Sequence, residues 1–239
     1  MQALRQKIAL LAVSSALVTL VGCGGDNNSY LNVSGVAATG LAITDGAVTV
    51  QCVSGTGTAT TNGNGAYAVS VVNGEGPCLI TVTKGALTLR SITPKTTTGA
   101  AVANVTPISD AIIQGLIAAK GAATASALVT NPALTPSNDQ LTAAVTAVIT
   151  QINAALVALG KDPLPTNTDL LGKPNFVAAT LTTPSTDPLD LALDFLVTDG
   201  STTLSNVLIN SITMAVDEVV PATTTPTGST GSTGATGVN

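Results

Sequence analysis

The sequence predicts an α+β chain: a small antiparallel β-sandwich followed by an α-helical, bundle-like domain. Three observations carry this reading. Between residues 33 and 92 apolar residues alternate with polar or small ones in short runs separated by Gly- and Asn-rich turns, the period-two pattern of half-buried strands. After about Asn104 the apolar spacing changes to three and four residues, and Thr-Pro or Asp-Pro pairs stand at the heads of the runs, as helix starts do. Charged residues make up only 9% and aromatics 2% of the 239 residues, against roughly 25% charged in an ordinary globular protein. A core of Ala, Val and Leu buries less area per residue than one with Phe and Trp, so an added staple such as a disulfide is expected.

The first element is an export signal. Arg5 and Lys7 precede a 14-residue apolar run over 8–21, broken only by Ser14, Ser15 and Thr19. That is short for a membrane span, which needs ~20 residues, and suits a signal-peptide core. The run ends in Leu20-Val21-Gly22-Cys23, which resembles the lipobox of bacterial lipoproteins. The resemblance implies cleavage of residues 1–22 between Gly22 and Cys23, and lipidation of Cys23. The thiol takes a diacylglyceryl group and the freed amine a further acyl chain, and several chains are needed for stable anchoring. The alternative is an ordinary secretory signal with a cysteine at its cleavage site. Gly24, where an Asp would retain a lipoprotein in the inner membrane, implies by the same resemblance the outer membrane of a Gram-negative cell envelope. Residues 23–30 then form a lipidated tether. Removing residues 1–22 takes away two basic residues and no acid, leaving a net charge of -7.

Strands are expected over 47–53, 66–72, 79–83 and 87–92, with edge strands from 31–36 and from 42–44. The turn Thr60-Thr61-Asn62-Gly63-Asn64-Gly65 supplies residues that tolerate positive φ, and Gly55-Thr56-Gly57 reads as turn glycines. Three stretches, Val33-Ser34-Gly35-Val36, Gly46-Ala47-Val48-Thr49-Val50 and Thr61-Asn62-Gly63-Asn64-Gly65-Ala66-Tyr67, come in an order similar to the transthyretin-like, carboxypeptidase regulatory-like domains, with Asn62 where that family has Asp. The resemblance spans about 60 residues and implies an accessory β-sandwich over 31–95 with no catalytic residues. With Cys23 lipidated, Cys52 and Cys78 remain as an even pair in an oxidising compartment. A disulfide crossing between sheets is expected, worth roughly 3.5 kcal/mol for a loop of ~27 residues; the alternative is two buried free thiols.

The helical domain is expected over 103–220. Thr106-Pro107-Ile108-Ser109-Asp110 reads as an N-cap, a proline at the first helical position and an acid in the first turn, with Gly121 interrupting or ending the helix. The segment 103–110 also resembles the junction of bacterial lipoproteins in which a β-domain leads into an Ala-rich helical domain; it implies no activity. A second start is Thr135-Pro136-Ser137-Asn138-Asp139, followed by the stripe Leu141, Ala144, Val145, Val148, Ile152, Ala155, Leu156 and Leu159, with Gly160 as the stop. No charge lies between 141 and 160, so a membrane span competes, but Thr142, Thr146, Thr150, Gln151 and Asn153 favour a core helix. Asp187-Pro188 starts a third helix, and 201–216 is a fourth helix or a strand. Residues 161–186 read as a long irregular connection, 96–99 as a hinge, and 221–239 as a disordered Thr/Gly/Ser tail.

Catalytic chemistry is missing from this pattern. With no His, Ser-His-Asp and Cys-His catalysis and most zinc sites are excluded. No nucleotide-binding or nucleophile-elbow motif occurs, and no metal or cofactor is expected. Asp187, Asp190 and Asp194 share a helical face and read as capping plus a solvated surface rather than a glycosidase pair. The acidic balance, without Lys/Arg runs or stacking aromatics, argues against nucleic acid. Asn27, Asn32 and Asn104 head glycosylation sequons. The expectation is a non-enzymatic cell-envelope lipoprotein, joined to the membrane by its lipid and partnered by an envelope protein or glycan. The alternatives are a surface adhesion or ligand-binding module, and an enzyme with a carboxylate-based site.

Overall fold

The computed structural model describes residues 29–96, 99–198 and 202–219, with the side chains of 194–198 and 202–205 left out. The expected signal segment, Gly22, Cys23 and the expected tail lie outside the described residues. The chain has mixed α+β content. Seven strands, β1 (Tyr30–Val36), β2 (Ala47–Ser54), β3 (Thr56–Thr60), β4 (Ala66–Val72), β5 (Glu75–Lys84), β6 (Leu87–Ile92) and β7 (Gly99–Val102), precede five helices among the described residues: α1 (Pro107–Lys120), α2 (Ala127–Thr130), α3 (Asn138–Ala158), α4 (Pro188–Thr198) and α5 (Thr202–Glu218). The strands form a three-stranded sheet, β4-β1-β7, and a four-stranded one, β3-β2-β5-β6. Neither closes.

Alternation does what the sequence pattern predicts. Val48, Val50 and Cys52 of β2, Ile80 and Val82 of β5, Tyr67, Val69 and Val71 of β4, and Leu31 and Val33 of β1 all point into one apolar cluster fed by both sheets. Burying each such aliphatic side chain contributes about 1.5–3 kcal/mol.

Four strand expectations need correction. Residues 31–36 are not an edge: β1 is the middle strand, antiparallel to β4 and parallel to β7. Alternation looks the same on an edge and in the middle, so the pattern could not separate them. The sheet is therefore not purely antiparallel. β7 is not expected from the sequence, since Gly99, the end of the expected hinge, and Ala100-Ala101-Val102 carry little apolar signal, and its place comes from pairing with β1. Thr56 and Gly57, expected with Gly55 as turn residues, belong to β3, which pairs with β2 from Gln51 to Ala47. Residues 42–44 make only an isolated bridge, between Ala42 and Ala38.

The helix starts follow their caps. Thr106 Oγ1 accepts from the Ser109 amide at 3.2 Å, and Ser109 Oγ accepts from the Thr106 amide at 2.8 Å. Ser137 and Gln140 make the same reciprocal pair, so α3 is capped at Ser137, directly after the Thr135-Pro136 pair. Gly121, at φ 61, ends α1. Residues 202–218 are helical, and Leu208, Ile212 and Val216 are buried at four-residue spacing. α2 was not foreseen; it is four residues long. α3 is the one described helix long and apolar enough to cross a membrane, with mean hydropathy 1.7, but Leu141, Ala144, Val148, Ile152 and Leu156 are buried in the helical core.

That second core also draws in Ala38, Leu79 and Ile92 from the strand half. Two glycines permit the closest approaches. A Cβ on Gly115 of α1 would lie 2.6 Å from Ile212 Cβ of α5, so the bare backbone lets these helices meet. A Cβ on Gly35 of β1 would lie 1.9 Å from the Ala103 carbonyl oxygen, where the chain leaves β7 for α1.

Candidate binding cleft

Asn104 organises the region where strands give way to helices. It is buried. Its Oδ1 accepts from the Val36 amide at 3.1 Å, its Nδ2 donates to the Lys173 carbonyl at 2.9 Å, and its own amide donates to the Leu171 carbonyl at 2.6 Å. Both ends of the side-chain amide are spent inside the fold, so this sequon is no glycan acceptor. Beside it the Tyr67 hydroxyl donates to the Ala103 carbonyl, and burial holds the phenol far above its ordinary pKa of 10.0. The Thr-Asn-Gly-Asn-Gly-Ala-Tyr motif has a structural explanation here. Thr61 Oγ1 accepts from Gly46 at 2.7 Å and donates to Ile43 at 2.5 Å. Asn62 Oδ1 accepts from Asn64 and Ala66 at 2.9 and 3.0 Å, acceptor work that an Asp would do equally.

The segment that Asn104 holds, residues 166–174, forms one wall of a cleft of about 700 Å³. The other walls are α3, Pro94 and Thr96, and Ala100–Val102 of β7. Leu141, Val145, Ile149, Ala101 and Leu171 make an apolar floor, and Thr142, Thr146, Asn138, Thr166 and Asn167 a polar rim. Thr142 and Thr146 donate their hydroxyl protons one turn back along α3, each at 2.9 Å, which leaves oxygens facing outward. Asp169 is the only ionisable residue among the described residues lining the cleft. Its Oδ1 accepts from the Leu171 and Gly172 amides at 3.0 and 2.8 Å.

The acids singled out in the sequence lie elsewhere, and the solvated-face reading is wrong for two of them. Asp187 and Asp190 are buried. Asp187 Oδ1 accepts from the Leu189 amide at 2.9 Å and caps α4, while its Oδ2 pairs with Lys173 Nζ. Asp190 Oδ2 accepts from the Ala179 amide at 3.1 Å. They face inward because the irregular segment 173–180 folds over the start of α4 and needs acceptors for its amides. The side chain of Asp194 lies outside the described residues. Among the described residues no three His, Cys, Asp or Glu gather in a metal-ligating group.

Cys52 and Cys78 form a disulfide. It does not cross between sheets: the two residues face each other on neighbouring strands β2 and β5 of one sheet. Gly22 and Cys23 lie outside the described residues. The cleft is not visible in the sequence: Val145 belongs to the core stripe of α3, as expected, and packs partly buried against the helical core, but it lines the cleft as well. The width of that stripe was the available signal, since one helix face cannot turn eight apolar positions to a single neighbour. No known family model matches this chain, and no curated protein or solved structure matches it.

Proposed function

We propose that this chain is a non-enzymatic cell-envelope lipoprotein, held to the membrane through acylated Cys23 and facing an oxidising extracytoplasmic space. The observation that carries the reading is Leu20-Val21-Gly22-Cys23 at the end of a positively headed, 14-residue apolar run. The Cys52–Cys78 bridge supports it, because structural disulfides persist outside reducing compartments. In this reading residues 31–95 are a β-sandwich of the carboxypeptidase regulatory-like kind, residues 103–220 a bundle-like helical domain, and Gly24 directs the protein to the outer membrane. Cys23→Ala is expected to shift the protein from the membrane to the soluble envelope fraction and to abolish labelling by radioactive palmitate. Membrane fractionation and labelling that survive in the variant would overturn the anchor.

A second reading, a ligand-binding module, is favoured by the cleft between α3 and β7. Its volume falls within the roughly 300–1,000 Å³ usual for binding sites, and an apolar floor with a few polar rim groups is their usual make-up.

A further inference from the structure

One edge of the three-stranded sheet opens into this cleft. β7 pairs with β1 on one side, and among the described residues no strand pairs with its other side. The hydrogen bonds that follow β7 fix which groups face which way. The Ala103 amide donates to Ser34 of β1 at 2.8 Å, whereas the Asn104 amide donates outward to Leu171 at 2.6 Å. Strand groups alternate sides, so the N–H and C=O of Ala100 and Val102 point outward as Asn104 does. Ala100 is exposed and Val102 half-buried. At Asn104 the outward position is filled by Leu171, and the Val102 carbonyl oxygen faces Gly172, 3.1 Å from where a Cβ on that residue would lie; the part of the edge that borders the cleft is Ala100 and the Val102 amide.

We infer that the cleft binds an extended peptide that adds as a strand to the free edge of β7, with alternate apolar side chains on the α3 floor and a basic residue near Asp169. The inference deepens the ligand-binding reading above and does not depend on the lipid anchor. A strand edge is satisfied by backbone amides and carbonyls, which gives register, while the pockets on one face choose every second side chain. Leu141, Val145 and Ile149 recur at four-residue spacing along the floor, so one face of the peptide is apolar. The charge follows from Asp169, the only ionisable residue among the described residues of the lining, whose Oδ1 takes both amide donors. A glycan fits less well, since among the described residues no aromatic ring lines the cleft to stack on a sugar face.

The test uses the full chain with Cys23→Ser, exported as a soluble protein, so that a failed anchor does not affect the result. The probes are capped hexapeptides alternating Val and Thr with Lys at either end, their Glu-ended counterparts, and two N-methylated sets, one methylated on the Val amides and the other on the Thr amides. Binding is read by titration calorimetry. The Lys peptides are expected to bind. One N-methylated set is expected to lose at least about tenfold in affinity and the other to keep it, because only alternate amides face β7. Ala100→Pro, which removes an outward N–H, is expected to weaken binding about tenfold at an unchanged melting temperature. Asp169→Asn keeps the acceptor for Leu171 and Gly172 and is expected to erase the preference for Lys over Glu, about threefold for an exposed pair. Equal losses in both N-methylated sets, or no peptide binding below about 1 mM, would overturn the inference, as would binding of a cell-wall oligosaccharide to a site that Ala100→Pro leaves unchanged.

Discussion

The strand half and the helical half of this chain draw on the same short list of small apolar residues, yet they are held together by different means. In the strand half a covalent bridge joins β2 to β5, the side chains of buried Thr61 and exposed Asn62 hold the turns, and buried Tyr67 ties β4 to the chain that leaves β7. The helical half has no bridge among the described residues. Its helices are capped at Thr106 and Ser137, α1 and α5 meet over Gly115, and its long irregular segment is tied down by Asn153, which exchanges two hydrogen bonds with Leu164, and by Asp187 and Asp190. The difference follows from what each geometry supplies. A helix satisfies its own backbone, so small residues serve by letting helices approach closely. Short strands owe their order to pairing across the chain, and a Val-rich cluster without Trp gains from a constraint on the unfolded state.

The largest expected effect removes that constraint. Cys52→Ala with Cys78→Ala is expected to cost about 3.5 kcal/mol, the chain-entropy value for a loop of this length. Urea unfolding followed by tyrosine fluorescence, which reports mainly on the strand half, and by helical circular dichroism separates the halves. The comparison is sharpened if the tyrosine transition moves to lower urea while the helical one lags. Coincident transitions would break it, and would mean that Ala38, Leu79 and Ile92 couple the halves into one cooperative unit.

The parts that were legible in the sequence are those whose physics is local. The caps at Thr106 and Ser137, the stop at Gly121 and the turn at Asn62 each rest on residues within four positions of one another, and each is where the pattern puts it. The partnership of Cys52 with Cys78 followed from counting thiols once Cys23 was assigned to lipid. What escaped is decided by pairing over distance. β7 has no apolar alternation of its own and exists because β1 is beside it. β3 consists of Thr, Gly and Ala, and depends on β2. Asp187 and Asp190 look like surface acids on a helix wheel until residues 173–180 fold over them. The cleft belongs to this second group, since its walls come from three separate stretches and only one, α3, carried a readable stripe.

A smaller effect tests the helical side of the comparison. Gly115→Ala gains up to about 1 kcal/mol of helix propensity, but the new methyl would lie 2.6 Å from Ile212, and overpacking of this kind costs about 1–3 kcal/mol. Net destabilisation of roughly 1 kcal/mol is expected in thermal melts, with a rescue of at least half by Ile212→Val, the coupling expected of residues in contact. A stabilised Gly115→Ala would mean that close approach is not what holds α1 to α5.

The smallest effect lies at the seam between the halves, where Asp110 of α1 meets Arg90 of β6 at 3.1 Å. Burial pushes the carboxyl above its ordinary value of 3.8, prevailing over the Arg90 guanidinium, the Gln114 side chain and the Arg90 backbone, all of which favour the charged form. The folded state therefore holds this proton more tightly than the unfolded chain does. The contribution to stability is fully present below the ordinary value and is lost as pH rises through the raised one. Asp110→Asn keeps an oxygen for Arg90 and removes the titration. Because Asp110 is partly exposed to water, the difference is expected to stay below about 1 kcal/mol. Unfolding free energies measured from pH 3 to pH 7 on both proteins should show the gap between variant and parent moving in the variant's favour as pH rises from the ordinary carboxylate value, then levelling. A gap that moves the other way would mean that the Arg90 pair outweighs burial, and that the seam is held by charge rather than by packing.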